Sequence, residues 1–224
     1  MSKQNLLSYI KQSLAAVRYK KYEDKKAKLE QNGTIKHFDK EFFEQFDGMY
    51  FDGLPIYYYL NSMNMGKCYD TSAILALAMG EGANVCRGVL SNLPSIYSKH
   101  FHHGWVEKDG KVYDTTWQII LPIEDYYKMF GVKHQSVTDM KTFFENNKEM
   151  AKWEIHTKED YEKEFCPLET LLIFLVSQTE QKNLQNQNLT TTEREYSQKL
   201  LKDLPNVTLE NFSQKIEEMT AQKQ

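Results

Sequence analysis

Cys68, His103 and Asp114 are the residues of this chain whose types and spacing could do chemistry together. A cysteine attacks a carbonyl as the thiolate. It needs an imidazole to take its proton and return it to the leaving group, and the imidazole needs an acceptor to fix its tautomer. Cys68 opens the stretch from Gly66 to Gly80, which reads as a helix. Gly66 suits a sharp entry, Ser72 to Met79 are apolar almost throughout, and Gly80 and Gly82 are natural stops. A thiol in a first helical turn meets unpaired N–H groups and the positive end of the helix dipole, and both favour thiolate. Charge developing on an attacked carbonyl would be met by the Cys68 N–H and one further donor. Asn61, Asn64, Tyr57, Tyr58 and Trp105 are the candidates for that donor or for the cleft wall.

The histidine and the aspartate sit in His102-His103-Gly104-Trp105-Val106-Glu107-Lys108-Asp109-Gly110-Lys111-Val112-Tyr113-Asp114-Thr115-Thr116-Trp117. Asp-Gly between two alternating runs is a strong hairpin signal. With Asp109-Gly110 as the turn, Lys108 faces Lys111, Val106 faces Tyr113 and Trp105 faces Asp114. Side chains alternate along a strand, so His103, Trp105, Glu107, Asp114 and Thr116 share one face and His102 falls on the other, a choice that a three-residue loop would reverse and a four-residue loop would not. His103 and Asp114 become diagonal neighbours, roughly 7–8 Å apart at the backbone and bridgeable by their side chains.

The elements that must position these residues follow from periodicity. Residues 4–31 read as a helix closed by Asn32-Gly33, with a charged, solvated second half. Asp39 to Phe46 predicts a shorter helix, and Asp47-Gly48 and Asp52-Gly53 predict turns. An aromatic run, Leu54 to Leu60, leads toward Cys68. Ala83 to Leu90 reads as a strand with Cys86 in its core, followed by a loop containing Pro94. Beyond Trp117 the pattern predicts helices only, at Ile123 to Phe130, Asp139 to Lys152 and Leu168 to Ser177. Gln178 to Asn188 reads as a polar linker or a frayed helix end. Thr190 to Glu193 offers a capping box for a helix through Lys202, and Thr208 can cap a final one. The expected organisation is an α+β domain over 1–165 and a helical appendage over 166–224, whose helices are candidates for docking a partner.

Composition narrows the function classes. A formal net charge of −3 gives no electrostatic support to a nucleic-acid partner or an anionic membrane surface. Three cysteines, Cys68, Cys86 and Cys166, argue against a disulfide framework and fit a reducing compartment. The apolar run Leu171 to Val176 is far too short to span a bilayer, and the first residues carry no signal-peptide pattern. A cytoplasmic protein acting on a protein or peptide substrate without a cofactor is the expectation. A metal site at His100, His102 and His103, joined by Cys68 or Asp114, is the rival. It is weakened because paired-cysteine spacing is absent and a strand sends His102 and His103 to opposite faces.

These motifs resemble the transglutaminase-like superfamily. The resemblance runs over roughly residues 55–120: Gly66-Lys67-Cys68 opening an apolar helix, the strand Ala83 to Leu90, His103-Gly104-Trp105-Val106-Glu107, and Asp109-Gly110-Lys111-Val112-Tyr113-Asp114-Thr115-Thr116-Trp117. The chain departs from the pattern at Val112, where Trp is preferred. The resemblance implies a papain-like core, a Cys-bearing helix packed on a small antiparallel sheet. It implies Cys68 as nucleophile, His103 as base and Asp114 as orienter. The superfamily includes proteases, cross-linking enzymes, deamidases, peptide glycanases and inactive members, so the type of chemistry is better defined than the substrate. Arylamine acetyltransferases also use Cys, His and Asp, but the Arg-Gly-Gly before their cysteine is absent here. The remaining alternatives are a catalytically inactive binding module of the same fold and a plain α/β domain without chemistry.

Overall fold

A computed structural model describes residues 17, 19–61, 66–93, 101–163 and 167–205. The chain is mixed helix and sheet, and its strands form a six-stranded antiparallel sheet and a separate two-stranded one. Contacts divide it into two compact units. The first comprises the residues up to Phe43 and Leu60–Lys152, and the second Glu44–Tyr59 with Trp153 onward. The sequence division fell at 165/166. It differs because the aromatic segment before Cys68 packs with the C-terminal helices rather than with its chain neighbours.

In the first unit, α1 (residues 19–31) is closed at Gly33, where φ is +70°. Then come β1 (Lys36–His37) and α2 (Lys40–Glu44), the latter capped by Asp39, whose Oδ1 accepts from the Phe42 N–H. The second unit contributes β2 (Tyr50–Phe51), β3 (Leu54–Pro55) and most of α3 (Ile56–Asn61). The chain re-enters the first unit with α4 (Cys68–Met79), β4 (Asn84–Leu90), β5 (Phe101–Lys108), β6 (Lys111–Asp114), β7 (Ile119–Pro122), α5 (Ile123–Phe130), β8 (Val132–Asp139) and α6 (Met140–Asn146). Sheet order is β1-β7-β6-β5-β4-β8. The second unit continues with α7 (Lys158–Lys163), α8 (Pro167–Leu184) and α9 (Thr191–Asp203).

The hairpin register is the one the Asp-Gly signal predicts: Lys108 opposite Lys111 and Val106 opposite Tyr113. Asp109 and Gly110 take φ of +50° and +72°, the left-handed pair that a two-residue turn between twisted strands requires. Strand parity then sorts the core. Cys86, Trp105, Val112, Ile119 and Leu121 pack with Tyr22 and Leu29 of α1 and Tyr126, Met129 and Phe130 of α5. Helix α4 covers the other face, buried along Thr71 to Ala76.

Four expectations are corrected. The segment after Trp117 is not purely helical, since β7 and β8 lie in it. β7 is only four residues long, and β8 is a largely exposed edge strand (Val-Lys-His-Gln-Ser-Val-Thr-Asp) with no apolar alternation to reveal it. The helix expected over Asp139–Lys152 is cut to α6, capped by the Asp139 side chain and stopped at Asn147. The helix expected over Leu168–Ser177 runs on to Leu184 as α8, so the first part of Gln178–Asn188 is helix end rather than linker. The helix expected over Asp39–Phe46 shrinks to α2. The capping box at Thr190 and Glu193 is formed as read. The final helix expected from Thr208 lies outside the described residues. Among the described residues no helix is long and apolar enough to cross a membrane.

Candidate active site

Helix α4 begins at Cys68, and no side chain caps it. Its first intrahelical bond runs from the Thr71 N–H to the Lys67 carbonyl at 2.9 Å, so the N–H groups of the preceding turn point out of the helix end. The Thr71 hydroxyl lies 2.7 Å from that of Thr115, a buried tie between this turn and the residue after Asp114. Gly104 makes the close approach of α4 to β5 feasible. A Cβ there would stand 2.8 Å from Tyr69 Cδ1, 2.9 Å from Ser72 Oγ and 3.0 Å from the Cys68 carbonyl oxygen.

The β5–β6 ladder ends at Val106–Tyr113, and beyond it a side-chain bond takes over. His103 Nε2 lies 2.8 Å from Asp114 Oδ2, with both side chains fully buried. The same oxygen accepts from the Tyr126 hydroxyl at 2.6 Å. Asp114 Oδ1 accepts from the backbone N–H groups of Thr116 at 2.9 Å and Trp117 at 3.2 Å. Four bonds hold this carboxylate, which is what a buried charge requires. The imidazole is caged by rings, with the centroid of Trp117 at 4.7 Å, Phe101 at 5.7 Å and Trp105 at 6.3 Å. With Nε2 engaged, Nδ1 is the nitrogen left for the sulfur. It is buried and has no formed hydrogen bond.

The electrostatics run from carboxylate to thiol. Burial pushes the His103 pKa down, but the Asp114 charge and hydrogen bond and the nearby thiol outweigh it and raise it to about 9. Burial pushes the Cys68 thiol up. Polar contact with His103, the imidazolium charge and the Gly104 N–H more than offset that, and the thiol ends below its ordinary value. Cys86 stands in contrast: burial, then Glu107, drive its thiol far up, so it is an inert core residue.

The other sequence candidates separate. Asn61 is exposed, and its carbonyl, with that of Leu60, accepts from the Gln118 side-chain amide at 3.1 Å. Asn64 and His100 lie outside the described residues. Tyr57 and Tyr58 belong to the second unit, where the Tyr57 hydroxyl donates to Asp203 Oδ2 at 3.2 Å. Trp105 is corrected outright as a donor or cleft wall. It is fully buried, and its indole N–H is spent on Glu107 Oε1 at 2.9 Å, an oxygen shared with the Tyr127 hydroxyl at 2.7 Å. His102 is exposed and lies on the opposite face of β5 from His103, as the two-residue turn predicts.

Sequence reasoning missed Tyr126, Thr71 with Thr115, and the role of Gly104. Tyr126 carried a faint signal, standing at helical spacing with Met129 and Phe130 on the buried side of α5. Family models, curated proteins and solved structures offer no match to this chain.

Proposed function

We propose that the chain is a cysteine-dependent enzyme of transglutaminase-like type that cleaves peptide or amide bonds through an acyl-enzyme. The observation that carries this reading is the buried line of groups. A carboxylate held by four bonds orients His103, and the charge and polarity of that ring lower the pKa of the Cys68 thiol. A helix bearing the cysteine against an antiparallel sheet fits the papain-like core that the sequence motifs resemble.

The step follows from the protonation states. The Cys68 thiolate attacks the amide carbonyl carbon, and the carbonyl oxygen takes the charge toward the first-turn N–H groups of α4. His103, protonated and oriented by Asp114, gives its proton to the leaving nitrogen as the C–N bond breaks. The neutral imidazole then takes a proton from water, whose oxygen attacks the thioester carbon. The C–S bond then breaks, the carboxylic acid leaves, and the thiolate–imidazolium pair is restored. An amine in place of water would give transfer instead of hydrolysis.

Incubation with a fluorescent primary amine and a mixed peptide library, read by mass spectrometry, tests the reading. Cleaved peptides or a one-dalton gain at glutamine support hydrolysis, and amine incorporation supports transfer. No product from the wild-type chain beyond that of Cys68→Ala would leave a binding module and end the enzymatic reading.

A further inference from the structure

Strand β4 carries a cation that has no counter-ion among the described residues. Arg87 is opposite Gly104 on β5 and Ser136 on β8. Its guanidinium carbon lies 4.7 Å from the ring centroid of Tyr69 and 5.0 Å from that of Phe143, so aromatic faces hold the planar group. Among the described residues no carboxylate lies within ion-pair distance of it. Its Nε is buried and lacks an acceptor. A buried charged donor left unmatched is costly, and a guanidinium edge fits the two oxygens of a carboxylate.

Beside it opens a cavity of about 170 Å³ lined by Val85, Arg87, Ser136, Thr138, Phe143 and the Asn146–Asn147 pair. No lining residue is acidic. The Asn147 amide is committed to the Phe143 carbonyl at 2.6 Å, which leaves the hydroxyls of Ser136 and Thr138 and the Asn146 amide to face a guest. The ring against Arg87 belongs to Tyr69, the residue next to Cys68 in the first turn of α4.

We infer that this cavity is a subsite for a carboxylate carried by the amide substrate, with Arg87 as its anchor and Ser136, Thr138 and Asn146 as further donors. The guest is an acidic peptide side chain or its equivalent. Its place in the reaction rests on Cys68 being the nucleophile, whereas binding of the carboxylate does not.

The test is an NMR titration of the Arg87 Nε–H and Asn146 side-chain resonances in the full chain. The probes are N-acetyl-glutamate α-amide and its neutral counterpart N-acetyl-glutaminamide. A saturable shift with the acid and none with the amide is expected. Ser136→Asp places a like charge at the exposed rim without touching the core. It should weaken acid binding about tenfold or more, the loss of one charge-assisted hydrogen bond. Arg87→Gln should abolish the Asn146 response. Equal shifts with both probes, no saturation, or tighter binding of inorganic phosphate than of the acid would overturn the assignment. A second arm compares labelling of Cys68 by N-bromoacetyl-β-alanine and by its methyl ester, the acid being favoured in the wild type and not in Ser136→Asp. Saturable binding with an unreactive Cys68 would sink the catalytic reading and the substrate role of the cavity together. Reactive Cys68 without carboxylate preference would sink the subsite alone.

Discussion

At the scale of single residues, the site is a chain of proton acceptors graded by environment. Asp114 is held by four bonds, His103 is raised by it, and Cys68 is lowered by His103. A thiol-directed reagent at neutral pH should therefore label Cys68 and spare Cys86, whose thiol is pushed far up; peptide mapping after brief alkylation checks this. His103→Ala should slow amide turnover roughly 100-fold or more, the usual worth of a positioned acid–base, while His102→Ala, exposed, should change it little. The reverse order would mean that His102, not His103, exchanges the proton with the sulfur. Tyr126→Phe removes one of four donors to Asp114 and should lower stability by about 1 kcal/mol, measured by urea unfolding. Amide turnover should also fall as pH rises through about 9, where His103 loses the proton it must donate, although alkylation of the thiolate continues.

At the scale of elements, the site depends on how closely α4 lies against β5. His103 and Gly104 are neighbours on opposite faces of one strand. Cys68 arrives from the α4 side, while His103 and Asp114 reach toward Tyr126 on the α5 side. A methyl at 104 would stand 3.0 Å from a backbone oxygen of α4, which cannot swing away as a side-chain tip can. Gly104→Ala should cost roughly 1–3 kcal/mol by overpacking and lift the first turn off the strand. Denaturation and Cys68 alkylation measured on the same sample should both show the loss. Unchanged alkylation would mean that sulfur and ring do not depend on that spacing. The Asp109-Gly110 turn acts differently: it sets the register, and register alone decides which histidine meets Asp114.

At the scale of the whole molecule, the buried His103–Asp114 pair links folding to pH. The folded imidazole is raised, so the pair's contribution is fully present below the ordinary histidine range, about pH 6.5, and is lost as pH climbs through about 9. The urea midpoint should fall between about pH 6 and about pH 10, and by less in Asp114→Asn, which keeps the thiol but lacks the charge. An equal fall in both would show that the pair does not set the alkaline limit.

The amino-acid sequence by itself determined the local features. These are an apolar helix opened by Cys68, a hairpin signal at Asp109-Gly110 and, for a two-residue turn there, the parity that chooses His103 over His102. Such features rest on backbone angles and on alternation, which short range encodes. Tertiary structure alone decided the rest. The segment before Cys68 joins the C-terminal helices, a polar edge strand completes the sheet, and Trp105 turns its indole to Glu107. Tyr126 closes on Asp114, and Arg87 lies between two rings with no anion against it among the described residues. Apart from the bond from Trp105 to Glu107, two residues on along the same strand, each is a contact between residues distant in the chain, set by how whole elements fill space.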